Sequence, residues 1–321
     1  VKNAGIKSFY LSTDFQNMEE ELKVFIPVLE KIRPRCVVAD SYYVTERYLE
    51  EIRKYSRTIY VDDLGSFAYP VDVLVNYNIY GEKIDYVQMY HKQNKPEPKL
   101  LLGPEYAPLR KEFKNQRKKQ QPGNVKDILI STGGADYEHV ALRLARYLTV
   151  HRESNNYKYH FLMGMLNQDA SKLMELAERF PSLMELHQNV RYVEQLMQKC
   201  DIAVSAAGST LYELCACGIP TITYVLADNQ ILGAQTFSEK GLMLYVGDCR
   251  SDKDFAEHVV RAVEELADDY KLREQMAGQL RTLVTGNGTE ELIGELLSVK
   301  KNYDKRVAYS SFERFGPSSG L

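Results

Sequence analysis

Short apolar runs alternate with amphipathic stretches along most of this chain. In the first half, Lys7–Leu11, Cys36–Ala39, Thr58–Val61, Val71–Val75 and Lys99–Leu102 are brief, β-branched and mostly apolar at successive positions. Such runs predict parallel strands buried on both faces. Helical spacing of apolar residues predicts helices Met18–Ile32 and Thr45–Tyr55 between the first two strands and the next pair. The second half predicts strands Asp127–Ser131, Lys158–Met163, Leu183–Leu186 and Leu242–Val246. Helices fall near Glu138–Leu148, Gln168–Arg179, Val193–Lys199, Asp252–Leu266 and Asp269–Thr282. A last helix, Thr289–Lys300, follows the Gly286-Asn287-Gly288 turn. Repeated β-α units predict an α/β protein with doubly wound parallel sheets, most economically two such domains facing a cleft.

The pattern breaks between Gly103 and Asn124. There Arg110, Lys111, Lys114, Arg117, Lys118 and Lys119 cluster before Pro122-Gly123. This reads as an interdomain connection, giving a first domain over 1–115 and a second over 116–300. A nucleic-acid arm is disfavoured, since only Phe113 interleaves with the cations as a stacking residue. The segment 301–321 lacks apolar periodicity and carries Gly-Pro-Ser-Ser-Gly, so it is expected to be a mobile tail outside the fold.

Composition narrows the class. A chain of 321 residues, 44% hydrophobic and 26% charged, supports two ordinary cores. A net charge of -3 gives no overall attraction to nucleic acid or an anionic membrane. No apolar run approaches the ~20 residues of a membrane span, and no secretory pattern is read. Five cysteines without framework spacing fit reduced thiols in a cytoplasm. Cys215 and Cys217, two apart on a predicted helix, point to different sides and are expected to pack rather than bind metal. The six histidines, His91, His139, His151, His160, His187 and His258, show no metal spacing, and no metal or cofactor is expected.

Candidate chemistry concentrates at strand ends, where ligands of such sheets bind. Asp201–Gln230 reads as a strand, a small-residue turn over Ala206–Thr210, a helix, a second strand and the polar pair Asn229-Gln230. A Gly-containing turn at a helix N-terminus suits a phosphate, because free N–H groups and the helix dipole face it. Glu213, one turn further in, has two readings: a carboxylate for ribose hydroxyls, or the Glu of a Thr210-x-x-Glu213 capping box. Asn229 and Gln230 are either turn residues or neutral donors to a sugar or pyrophosphate. Gly133-Gly134-Ala135-Asp136 forms a second strand-to-helix turn, expected at the same sheet edge and to share one nucleotide-diphosphate pocket, with Asp136 a candidate for binding that nucleotide or for capping the helix. In the first half, Asp40-Ser41-Tyr42 and Asp62-Asp63 also end strands. Asp40 and Tyr42 are candidates to orient substrate, with loop capping as the alternative. Adjacent Asp62 and Asp63 cannot flank one bond from an extended chain. No nucleophile elbow and no P-loop Gly-Lys-Ser/Thr occurs.

Several of these residues stand in a familiar order. They are Asp40-Ser41-Tyr42, Val61-Asp62-Asp63-Leu64, Asn76, Leu102 to Arg110, Gly133 to Asp136, Asn189-Val190 with Leu196-Met197, Ser205 to Thr210 with Glu213, and Asn229-Gln230. In this the chain resembles the UDP-sugar hydrolases of pseudaminic acid biosynthesis, which cleave UDP-2,4-diacetamido-2,4,6-trideoxy-β-L-altropyranose. That family is related to spore-coat polysaccharide proteins and MurG-type glycosyltransferases. The resemblance spans about Lys7 to Leu297. It implies a GT-B fold of two Rossmann-like domains and a UDP-sugar substrate held mainly by the second. It implies that Gly133, Gly134, Ala207, Gly208, Ser209 and Thr210 border the pyrophosphate and that Glu213 meets the ribose. Asn229 and Gln230 would lie near phosphate or sugar, with Tyr42 entering from the first domain.

The family begins with a strand and a Gly-His-x-x-x-Arg-like loop whose histidine is its general base. None of the six histidines here stands in that context. The resemblance therefore implies a first domain lacking that strand and catalytic loop, and leaves the general base without a candidate. A glycosyltransferase or a non-catalytic UDP-sugar binder would present the same pocket.

Overall fold

The structure is a computed structural model that describes residues 7–116, 120–152 and 156–297. Arg117, Lys118 and Lys119 of the basic cluster lie outside the described residues, as do 298–300 of the last predicted helix and the 301–321 tail. The fold separates into two compact units. One comprises residues up to 74, 87–99 and the described residues from 293; the other comprises Val75–Tyr86 and Leu100–Leu292.

In the first unit, α1 (Met18–Ile32) starts at Asn17, whose side chain accepts from the Glu20 N–H, and is followed by β1 (Cys36–Ala39). Next come α2 (Glu46–Arg53), capped by Thr45, and β2 (Arg57–Val61), which pairs in parallel with β1. The sheet runs β1-β2-β3-β4, with β3 at Val73–Asn76 and β4 at Lys99–Leu102. Helix α3 (Tyr86–Lys92) was not anticipated, although Tyr86 and Tyr90 recur at helical spacing and are both buried. Arg53 pairs with Asp72 at 3.0 Å, and Asp72 accepts from the Thr58 N–H at 3.0 Å, joining helix α2 to the start of β2.

The expectation of a strand at Lys7–Leu11 is wrong. Those residues form no strand, and Phe9 and Tyr10 are 62% and 85% exposed. A run of large apolar residues carries no information about whether a partner strand exists, and pairing is what makes a strand.

The second unit holds a six-stranded sheet in the order β10-β9-β8-β5-β6-β7. Its strands are β5 (Asp127–Ser131), β6 (Lys158–Met163), β7 (Met184–Gln188), β8 (Ile202–Ala206), β9 (Thr221–Val225) and β10 (Leu244–Asp248), all paired in parallel. Helices α4 (Val140–Val150), α5 (Ala170–Arg179), α6 (Val193–Lys199), α7 (Thr210–Cys217) and α8 (Ile231–Glu239) connect them. Helices α9 (Phe255–Asp268), α10 (Tyr270–Leu283) and α11 (Gly288–Leu297) follow. Alternate residues of one strand feed opposite cores. Ile128 and Ile130 pack with the α4 and α9 side chains, whereas Leu129 joins Leu211, Leu214 and Cys215 of α7. Both sheet faces are thus covered, which is why these strands read as continuous apolar runs.

Candidate functional site

The strand order reverses at β5. From β5 the chain proceeds outward through β6 to β7, and from β8 outward through β9 to β10. β5 and β8 are direct parallel neighbours, with Ser131 opposite Ser205, and β8 pairs with β9 with Ala206 opposite Tyr224. The turns that follow these strands therefore leave one sheet edge side by side. They carry Gly133-Gly134, Ala207–Thr210 and Asn229-Gln230, so the expected common edge is observed. Loops fed by diverging strands at such a switch point leave a crevice between them.

At the first turn Gly133 has φ +80, and a Cβ on either Gly133 or Gly134 would meet nothing within 4 Å. The backbone is open there to a close-approaching ligand. Gly164, after β6, was not singled out from the sequence, yet its Cβ would come within 2.0 Å of the Gly134 carbonyl oxygen. Only glycine lets the 164–167 loop back the Gly133-Gly134 turn, where the Leu166 N–H bonds the same carbonyl at 3.3 Å. Asp136 caps α4, accepting from Val140 N–H at 2.8 Å and Ala141 N–H at 3.0 Å. Burial pushes its carboxyl above the ordinary value, while those N–H donors oppose the shift. Asp136 supports the turn rather than offering a free group to a ligand.

At the second turn, Ser209 stands at the N-cap of α7 in helical conformation (φ -59, ψ -24), and no side chain caps this end. The Thr210-x-x-Glu213 capping box does not form, because Thr210 is already the first helical residue. Glu213 instead pairs with Arg110, whose Nη2 lies 3.2 Å from its Oε1. Burial raises the Glu213 carboxyl above the usual glutamate value, and Arg110 counteracts this. The Leu211 and Tyr212 N–H groups bond the Gly208 and Ser209 carbonyls at 3.0 Å, so the Ser209 and Thr210 N–H groups and the partial positive charge of the helix end are what attract an anion there. From the third turn, Gln230 accepts from the Leu226 N–H at 2.9 Å. Its Nε2 lies 4.0 Å from where a Gly208 Cβ would sit, which brings an amide donor beside the glycine. Asn229 is exposed. Arg250 pairs with Asp228 and Asp248, each at 2.6 Å, and so ties this turn to β10.

In the first unit, Asp40 follows β1 and is exposed, and the Tyr42 hydroxyl donates to Asp63 Oδ2 at 2.9 Å. Asp62 is a loop cap. It is 1% exposed and accepts from the Leu64 and Gly65 N–H groups and the Tyr69 hydroxyl. Burial raises the Asp63 carboxyl, partly offset by the Tyr42 hydrogen bond.

Cys215 and Cys217 are buried in α7, and burial pushes the Cys217 thiol up to about 12, in keeping with a packing role. Two of the histidines, without metal spacing in the sequence, meet in the fold. His160 and His187, on adjacent strands β6 and β7, approach to 3.0 Å beside Glu185. No helix among the described residues is long and apolar enough to cross a membrane.

The fold is the α/β, parallel-sheet architecture of GT-B glycosyltransferases. MurG of Acinetobacter baumannii superposes with a TM-score of 0.60 at 12% identity, over 91% of this chain and 82% of that one. A co-structure of S. aureus MnaA with UDP gives 0.59 at 14% identity, over 94% and 87%. Residues 128–286 match the family model described as the glycosyltransferase family 28 C-terminal domain. The chain is similar to the spore coat polysaccharide biosynthesis protein SpsG of Bacillus subtilis, 23% identical over 68% of this chain and 62% of that protein. It is also similar to the Helicobacter pylori pseudaminic acid cytidylyltransferase and UDP-2,4-diacetamido-2,4,6-trideoxy-β-L-altropyranose hydrolase, 23% identical over 76% of this chain and 44% of that protein. The chain spans between 42% and 62% of the length of the curated relatives it matches.

Proposed function

We propose that this protein hydrolyses a UDP-linked amino sugar of the diacetamido-trideoxyhexose class to free sugar and UDP, on the way to a pseudaminic or related nonulosonic acid. One observation carries the nucleotide part: two glycine turns and the uncapped N-terminus of α7 leave the sheet together at the β5/β8 switch point. An anion at such an end gains about 0.3–1 kcal/mol when exposed and up to about 2 kcal/mol when partly buried. That field is strongest for the charge which develops on a departing diphosphate. In this reading Gly133, Gly134, Ala207, Gly208, Ser209 and Thr210 border the pyrophosphate. Glu213 accepts the ribose hydroxyls, and Asn229 and Gln230 donate to phosphate or sugar. Asp40 and Tyr42 orient the substrate. The amino-sugar part rests on the similarity to the Helicobacter pylori enzyme.

The match to a glycosyltransferase domain favours a second reading, transfer of the sugar to an acceptor from the same nucleotide pocket. Incubation of the purified chain with UDP-sugars, following UDP and the sugar by NMR, separates the two. Free sugar with water alone supports hydrolysis, and turnover only with an added acceptor supports transfer. UDP binding without turnover in either condition would leave a binding protein, and no UDP affinity would overturn the pocket itself.

A further inference from the structure

Away from the nucleotide turns, β5, β6 and β7 bring four ionisable side chains onto one sheet face. His160 is wholly buried, and its Nε2 lies 2.7 Å from Asp127 Oδ1. A carboxylate accepts there, so the His160 proton sits on Nε2 and Nδ1 carries the lone pair. That lone pair faces His187 Nε2 at 3.0 Å. Glu185 Oε1 lies 3.6 Å from His187 Nε2, and Glu185 Oε2 lies 3.9 Å from His160 Nδ1. A carboxylate that fixes a histidine's tautomer from behind is the usual support for a metal-bound imidazole. Tetrahedral coordination at about 2.0–2.1 Å places neighbouring ligand atoms about 3.3 Å apart. The separations are 3.0, 3.6 and 3.9 Å, the last two to different Glu185 oxygens, so a rotation of the Glu185 carboxylate would bring one oxygen towards both imidazoles.

We propose that His160 Nδ1, His187 Nε2 and a Glu185 carboxylate oxygen bind one Zn²⁺ ion, with water as fourth ligand. Two imidazoles and a carboxylate suit zinc better than magnesium or calcium, which prefer all-oxygen shells. Entry is from the solvent side, where the His187 and Glu185 side chains are 18% and 40% exposed. Lys158 and Lys199 oppose a cation, but both approach Glu185 at Oε2, at 2.7 and 4.0 Å, leaving Oε1 turned towards His187. Against them stand the Asp127 and Glu185 carboxylates. His187 stays neutral on binding, its ring proton moving from Nε2 to Nδ1, so no net proton release is required. The ion joins β7, the last strand of the sheet, to β6, and its role is to hold that edge.

The test uses the full chain, stripped with a chelator and titrated with Zn²⁺ against a chromophoric competitor, with Co²⁺ as spectroscopic probe. The expected result is one equivalent bound, with tetrahedral d–d absorption and no thiolate charge-transfer band. His187→Ala and Glu185→Gln, at partly exposed positions, are expected to weaken binding at least tenfold. Asp127→Asn is expected to weaken it about 10–100-fold through the lost support of His160. No stoichiometric binding, a thiolate band, or affinity unchanged in His187→Ala would each overturn the site.

Discussion

Glu213 shows how a single side chain answers to two demands. Burial raises its carboxyl pKa, so folding disfavours the carboxylate that the ribose reading requires. A raised acid contributes stability that is full below its unfolded value and is lost as pH rises through its folded value. At neutral pH the carboxylate is therefore a cost, moderated by Arg110. Glu213→Gln is expected to be at least as stable as the parent at neutral pH, with the advantage shrinking on acidification. The same change is expected to weaken UDP binding about 10- to 150-fold, since hydrogen bonds to a charged group are worth about 1.5–3 kcal/mol. Denaturant midpoints at neutral and acid pH, set beside calorimetric UDP titrations, check both halves. A variant that loses stability at neutral pH while keeping UDP affinity would refute the assignment.

At the scale of elements, α7 is the piece on which the second unit is organised. Six of its eight residues are buried, and Tyr212 uses its hydroxyl to accept from the Ile79 N–H at 3.0 Å and to donate to Asn78 Oδ1 at 3.3 Å. Ile79 is 4% exposed, so Tyr212→Phe leaves a buried N–H without its acceptor. The expected loss is about 1–3 kcal/mol, with faster exchange of the Ile79 amide. A loss below about 0.5 kcal/mol with unchanged exchange would contradict this role of the hydroxyl. The boundaries of α1, α6, β5 and β6 were legible in the sequence because strong local periodicity and end signals agree there. The run Lys7–Leu11 was not, since the missing partner is a non-local fact. The site divides the same way. The glycine turns announce themselves within a few residues, whereas the Arg110–Glu213 pair and the His160–His187 contact join positions 103 and 27 apart. Gly164 left no local mark, because its constraint comes from the Gly134 carbonyl of another turn.

At the scale of the whole molecule, chemistry and fold meet at sheet edges rather than in any one segment. The second unit places its glycine and amide turns at the carboxyl ends of β5, β8 and β9, and its histidine cluster on the β6–β7 pair. Two ligands at such separate places make separable demands on hydrogen exchange. UDP is expected to slow first the amides of 133–135, 209–210 and 227–229, because those backbone groups would bond or face the phosphates directly. Core amides of β5 and β8 that exchange only through global opening of the unit are expected to slow as well. Their slowing follows the binding free energy, about 2.7 kcal/mol or about 100-fold at a UDP concentration 100 times Kd. Zn²⁺ is expected to act locally on 184–188 and to leave the three turns unchanged below global opening. Hydrogen-exchange mass spectrometry with each ligand in turn reads both patterns on one protein. UDP protection centred on β6–β7 instead of the three turns would displace the nucleotide from the switch point, whatever the reaction proves to be.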